Sequence, residues 1–172
     1  MVPQKRGILD RLSLPTLASQ EPVLLIQRPL FASFSQVALL RVPEELDKAQ
    51  AAQIITQWQN AKSLAMGEKY DVKALDSILL EPSLSEWRQR SEQNKAEQSY
   101  LVYTTKGIEI KSVTPEDKDR ATVVAVISED RDFIYQGERV ADYSRSGAQY
   151  EVTYKLQRQK DNWFIQTMLV KD

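Results

Sequence analysis

The sequence contains no cysteine and no histidine, and only five of its 172 residues are glycine. Without cysteine the chain can form neither a disulfide nor a thiolate metal site. Without histidine it lacks the commonest general base and the commonest metal ligand. No glycine-rich phosphate loop, Gly-x-Ser-x-Gly motif or metal-ligand cluster is present. We therefore predict no enzymatic activity, no catalytic residue, no metal and no cofactor.

An excess of either charge sign is also missing, because 24 acidic and 23 basic residues leave a net charge of −1. Nucleic-acid-binding proteins normally carry a basic surplus that contacts phosphates. The sequence also lacks a run of about 20 uncharged apolar residues, which a membrane span requires. We predict a protein that binds no nucleic acid and does not itself span a membrane, with no signal peptide.

The first 46 residues differ in composition from the rest of the chain. They hold five of the seven prolines, yet the segment from 23 to 34 is too apolar for a typical disordered tail. We predict an extended, proline-containing arm or linker over 1–46 and one domain over 47–172. The arm either packs on the domain surface, docks a partner, or is a linker from a larger protein.

Helical spacing of apolar residues begins after residue 46. It predicts a first helix that Asp47 caps and that ends at Gly67 as a left-handed residue. A shorter helix is predicted over 72–79 and a third over 82–97, with proline in its first turn. Two tryptophans lie on inward faces of these helices and are predicted core residues: Trp58 and Trp87.

Alternation with a period of two replaces the helical spacing after residue 99. The residues from 121 to 127 are nearly all apolar, which is typical of a central strand covered on both faces. An acidic group around Arg131, formed by Glu129, Asp130 and Asp132, is interpreted as a solvated strand end or turn. Strands are predicted over 100–105, 108–111, 121–127, 150–157 and 163–170, with turns at 106–107, 115–119, 144–147 and 160–162.

Helices thus come first and strands follow, an order that favours an α+β fold with an antiparallel sheet over a parallel α/β fold. We predict N-terminal helices packed on a strongly curved antiparallel sheet, as in the cone of nuclear-transport-factor-two-like proteins.

The order of residues from 54 to the end resembles a known family. The motif W-x3-K-x4-G is followed by L-x2-W-R-x-R and then by the strands. This set resembles the intermembrane-space (IMS) domain of chloroplast-division J-like proteins and of their cyanobacterial cell-division relatives. The residues that carry the motifs are Trp58, Lys62, Gly67, Leu84, Trp87, Arg88 and Arg90.

The resemblance implies a non-enzymatic protein-interaction domain, in cyanobacterial cell division or plastid division, that grips the C-terminal segment of a partner protein. It implies a cytoplasmic location if the chain is complete, and otherwise a soluble domain of a membrane-anchored division protein. The oligomeric state is left open.

We predict that the partner binds in a groove between the first and third helices and the concave sheet. Cations at its rim would hold a carboxylate, and tyrosines would supply contact area. The alternative is that Arg88 pairs internally with a neighbouring glutamate and that the tyrosines are ordinary core edge. The predicted partner-binding residues are Trp58, Lys62, Arg88, Tyr100, Tyr103 and Tyr154.

Two other classes of function stay open. A cone can enclose a small-molecule or enzymatic pocket, which a buried acid beside an open aromatic cavity would favour. The strand assignment places no carboxylate inward, which weighs against that class. The third class is an oligomerisation domain that pairs through its open sheet face.

Overall fold

The computed structural model describes residues 45–171. Residues 1–44, which hold nearly all of the predicted arm, lie outside the described residues. Leu46 is the one apolar residue of the predicted arm that lies within the described residues. It packs into the core, with 5% of its surface exposed. No helix among the described residues is long and apolar enough to cross a membrane.

The first helix, α1, spans Lys48–Met66 and begins at the predicted cap. The Gln50 backbone N–H donates to Asp47 Oδ1 at 2.7 Å, and the Asp47 N–H donates to Gln50 Oε1 at 3.1 Å. This reciprocal pair satisfies two donors that a helix start leaves unpaired. The predicted left-handed conformation of Gly67 is wrong, because its φ is −81° and its backbone is extended. Glycine fits there for another reason: a Cβ would lie 2.7 Å from the Ser63 carbonyl oxygen.

The second predicted helix is a short 3₁₀ helix, Val72–Ser77, whose inward residue Leu75 is fully buried. It ends before residue 79 because the chain there pairs with the last strand. The Leu80 N–H donates to the Ile165 carbonyl, and the Ile165 N–H donates to the Ile78 carbonyl, both at 2.9 Å. The third predicted helix is confirmed as α2, Ser83–Ala96.

All strand pairings within the sheet are antiparallel, and the order of the long strands is β1-β2-β4-β5, with β3 paired to the end of β2. The predicted α+β class, with helices preceding an antiparallel sheet, is confirmed. The strands are β1 Ser99–Asp117, β2 Arg120–Tyr135, β3 Glu138–Arg139, β4 Arg145–Gln159 and β5 Asn162–Lys171.

Strand β1 passes through the turn that the sequence predicts at 106–107. The pairing with β2 steps from Thr105↔Glu129 to Gly107↔Ser128, so that Lys106 is one extra residue in a β-bulge. A bulge bends a strand and increases its twist without reversing it. Lys106 and Gly107 therefore form a bend within the strand, and the predicted turn is wrong. Strand β4 likewise begins at Arg145, inside the turn predicted over 144–147.

Strand β2 carries the centre of the core on one face. Its inward residues alternate as Ala121, Val123, Ala125 and Ile127, each 2% exposed or less. The residues between them are half-buried, so the prediction that this strand is covered on both faces is wrong. The helices cover the inward face, where Ile55, Trp58, Leu75, Leu79, Tyr154, Leu156 and Ile165 complete the cluster.

Candidate functional site

An open cavity of about 320 Å³ lies between the two helices and the inward face of the sheet. All four long strands contribute to it. The lining residues are Trp58, Gln59 and Lys62 from α1, Trp87 and Arg90 from α2, Tyr103 from β1, Glu129 and Arg131 from β2, Tyr150, Val152 and Tyr154 from β4, and Met168 and Val170 from β5.

Strand register brings the sheet residues of the cavity together. Tyr103 lies directly opposite Arg131 across the β1–β2 pair, and Tyr154 lies opposite Met168 across the β4–β5 pair. Because side chains alternate between the two faces of a strand, residues opposite each other project on the same side. Val152 and Val170 form the next inward pair along β4 and β5. The cavity therefore lies next to the hydrophobic core, on the same inward face of the sheet.

A buried ion pair joins α1 to β2 at the cavity wall. Lys62 Nζ lies 2.7 Å from Glu129 Oε2, and the two side chains are 6% and 5% exposed. The sequence interpretation of Glu129 as part of a solvated strand end is wrong. It continues the inward alternation of β2 past Ile127. The expectation that no carboxylate points inward is therefore also wrong.

Burial shifts the protonation equilibria of the groups around this pair. Desolvation lowers the pKa of Lys62, although Glu129 opposes the shift. Desolvation and the nearby Glu129 carboxylate together raise the pKa of Tyr103 to about 12. The same two causes raise the pKa values of Tyr150 and Tyr154 above the ordinary range. At neutral pH these tyrosines present neutral hydroxyl groups to the cavity.

Aromatic rings form much of the helical side of the cavity. The rings of Trp58 and Trp87 meet edge to face, with centroids 4.8 Å apart and an interplanar angle of 74°. The Arg90 guanidinium carbon lies 5.0 Å from the Trp87 ring centroid, and Lys62 Nζ lies 4.2 Å from that of Tyr103. These contacts place two cationic groups over aromatic rings.

Two buried polar atoms at the cavity have no hydrogen-bond partner among the described residues: Gln59 Oε1 and Arg131 Nε. Gln59 is only 3% exposed. An acceptor and a donor buried without partners each cost free energy, which a bound group can recover. The lining also holds three cations and one carboxylate, so that the Lys62–Glu129 pair leaves the charges of Arg90 and Arg131 in excess.

The cavity brings together four of the six residues predicted to bind a partner: Trp58, Lys62, Tyr103 and Tyr154. The other two lie elsewhere. Arg88 forms an ion pair with Asp76 at the 3₁₀ helix, which is close to the internal pairing weighed as its alternative. Tyr100 is three residues from Tyr103 on an unbroken stretch of β1, so its side chain projects on the opposite face.

The sequence reasoning missed several lining residues that simple periodicity could have found. Arg90 follows Trp87 by three positions and therefore shares its helix face. Glu129 and Arg131 continue the odd-numbered inward positions of β2. Periodicity could not have found Gln59, because it is a polar residue directly after Trp58. Only the packing of α1 shows that it is buried.

Comparison with known proteins assigns this α+β domain to a class of domains named for the intermembrane space. The family described as "ARC6-like, IMS domain" matches residues 51–166, and the chain belongs to that family. The resemblance inferred from the tryptophan and arginine motifs is confirmed.

The crystal structure of the intermembrane-space region of chloroplast protein ARC6 is similar, with 25% identity and a TM-score of 0.68, covering 74% of this chain and 98% of that one. A ketosteroid isomerase-like protein from Erwinia carotovora atroseptica aligns with 14% identity and a TM-score of 0.47, over 72% of this chain and 95% of its own. An NTF-2-like protein from Shewanella oneidensis MR-1 aligns with 15% identity and a TM-score of 0.38, over 71% of this chain and 99% of its own. No curated protein matches.

Proposed function

We propose that this domain is a non-enzymatic protein-interaction module of a division protein, and that its cavity receives the C-terminal segment of a partner protein. The observation that carries the proposal is the cavity itself. It is open, aromatic and cationic, and it holds a buried acceptor and a buried donor without partners.

The charges of the cavity favour an anionic group. Glu129 neutralises Lys62 at 2.7 Å, so Arg90 and Arg131 remain to attract a carboxylate. A guanidinium can hold a carboxylate with two parallel hydrogen bonds, and charge-assisted bonds are stronger than neutral ones. The unpartnered Nε of Arg131 is one donor for such a bond.

The remaining polar group of the cavity fits the same occupant. Gln59 Oε1 can accept a hydrogen bond from an N–H group. The last residue of a peptide carries both kinds of group, a carboxylate that Arg131 can bind and a backbone N–H from which Gln59 can accept a hydrogen bond. Trp58, Trp87 and the tyrosines then supply rigid contact area for the preceding side chains.

The proposal is tested with a random decapeptide library displayed with free C-termini, from which the tightest binder of the full chain is taken. Isothermal titration then compares that peptide with its C-terminal amide. We expect amidation to weaken binding about 10- to 100-fold, the range for losing a charged hydrogen bond. Equal affinity of acid and amide, or the absence of any binder, would contradict the proposal.

A matched pair of variants on α2 locates the site. Arg90→Ala removes a cation from the cavity, whereas Arg88→Ala removes one that pairs with Asp76. We expect only Arg90→Ala to weaken binding. The opposite result would support the sequence-based assignment of Arg88 and would move the site away from the cavity.

A second candidate function is the binding of a small aromatic acid. A buried carboxylate beside an open aromatic cavity favours it, and Glu129 meets that description. Because Lys62 holds Glu129 in an ion pair, we propose binding and not proton transfer. Thermal shifts with a panel of aromatic carboxylates test it: stabilisation that Arg131→Gln abolishes, in a chain that binds no peptide, would favour this function.

A further inference from the structure

Within residues 45–171, strand β5 is an edge strand of the sheet. Its inner side pairs with β4 along its length. On its outer side, the only strand-type pairing within residues 45–171 is the parallel bridge between Leu79 and Ile165. The edge thus already accepts one short extended segment of the chain, and positions 166–171 continue beyond it.

The open edge adjoins the cavity. Met168 and Val170 of β5 line the cavity wall. The same end of the strand is exposed: Leu169 is 71% and Val170 is 50% exposed, which makes them two of the most exposed large apolar residues among those described. Exposed edges with apolar side chains are templates for pairing with another strand. An extended peptide on this edge would therefore touch the cavity with alternate side chains.

We propose that the partner's segment adds to β5 as an extra strand along residues 166–171, with its C-terminal end seated in the cavity. This inference rests on the proposed function and specifies its binding mode. Main-chain hydrogen bonds to the sheet edge would give affinity, and the cavity would give specificity for the terminal residues.

Charge decides between this occupant and a second copy of the chain. Arg90 and Arg131 leave the cavity cationic, and a second copy paired edge to edge would add an equally cationic cavity of its own. A segment that ends in a carboxylate complements the cavity and does not repel it. The occupant is therefore an extended peptide with a free C-terminus.

The experiment leaves the protein unchanged and alters the peptide. The selected decapeptide is resynthesised with a single N-methyl group at each backbone position in turn, and each version is titrated into the full chain. N-methylation removes one N–H donor. Because a strand presents its N–H groups alternately to either side, we expect affinity losses of about 3- to 10-fold at every second position.

The outcomes separate the two proposals. A peptide that binds through its carboxylate but shows no alternation overturns the added strand and leaves the proposed function standing. The absence of any carboxylate-dependent binder overturns both. Light scattering gives a further readout: a concentration-dependent dimer that peptide does not dissociate would show that a second copy occupies the edge and would overturn the inference.

Discussion

Lys62 and Glu129 are 67 residues apart in sequence, and their charged atoms lie 2.7 Å apart in the fold. The contact ties the last turn of α1 to the second half of strand β2. Both side chains are almost fully buried, so the pair has lost its hydration and depends on mutual contact.

The first prediction concerns this pair. Lys62→Met and Glu129→Leu should each lower the free energy of unfolding by about 3–5 kcal/mol, because each leaves an uncompensated buried charge. The double variant should recover most of that loss, since it buries no charge. Urea denaturation of the four proteins measures the cycle. Additive losses in the double variant would show that the pair is not coupled.

The second prediction concerns alkaline pH. The pKa of Tyr103 is about 12 in the folded protein and about 10 when unfolded. Between these values the unfolded state binds fewer protons than the folded state, so Tyr103 contributes stability below pH 10 that is lost as pH rises towards 12. This single group adds a slope of at most about 1.4 kcal/mol per pH unit.

Comparison with Tyr103→Phe isolates that contribution. Lys62 has the opposite effect on the pH dependence of stability: because its folded pKa is lowered, it makes the protein more stable as pH rises towards its unfolded value of 10.5. This effect is present in both proteins and cancels in the comparison. We expect the variant to lose stability less steeply than the parent between pH 10 and 12. Parallel stability curves would mean that Tyr103 titrates normally.

The third prediction separates the two tryptophans. Trp58 is 2% exposed within the core, and Trp58→Ala should cost about 3–5 kcal/mol. Trp87 only packs against the core and faces the cavity. Trp87→Ala should therefore cost at least about 1 kcal/mol less, because water can enter the space it leaves. Equal losses in thermal and urea unfolding would place Trp87 in the core, as the sequence interpretation has it.

The fourth prediction concerns Gly67. Gly67→Ala should destabilise the domain by about 1–3 kcal/mol, because the new Cβ meets the Ser63 carbonyl oxygen at 2.7 Å. Gly107→Ala is the control: its Cβ would meet only Ser128 Cβ, at an ordinary 3.9 Å. We expect the control to melt within a few degrees of the parent. A tolerated Gly67→Ala would show that the end of α1 can shift.

The sequence predicted those parts of the fold that depend on local patterns. The Asp47 cap, the apolar face of α1 and the alternation of β4 each involve neighbours along the chain, and each is found as predicted. The alternation predicted along β5 is wrong beyond Ile165, because a bulge in the pairing with β4 brings Met168 and Val170 to the cavity and leaves Leu169 exposed. The Lys106–Gly107 pair was misread because a bulge and a turn use the same residue types. Only pairing with β2 distinguishes the two.

The site was predicted less completely because it depends on which charges are buried. Composition favours a solvated Glu129, and its burial follows from a lysine 67 residues away that the sequence does not connect to it. Tyr100 and Tyr103 look alike in sequence, yet their odd separation puts them on opposite faces of β1. The assignment of binding roles to any of these residues stays a prediction.

The inward face of strand β2 has an apolar part and a charged part. From Ala121 to Ile127 it supplies small and branched apolar groups to the interior, and at Glu129 and Arg131 it supplies charge to the cavity. Under the proposed function, replacing Arg131 alters what the cavity attracts, whereas replacing Glu129 also leaves Lys62 buried without its partner. The charge at position 131 is therefore less constrained by the fold than the charge at position 129, whose partner lies on α1.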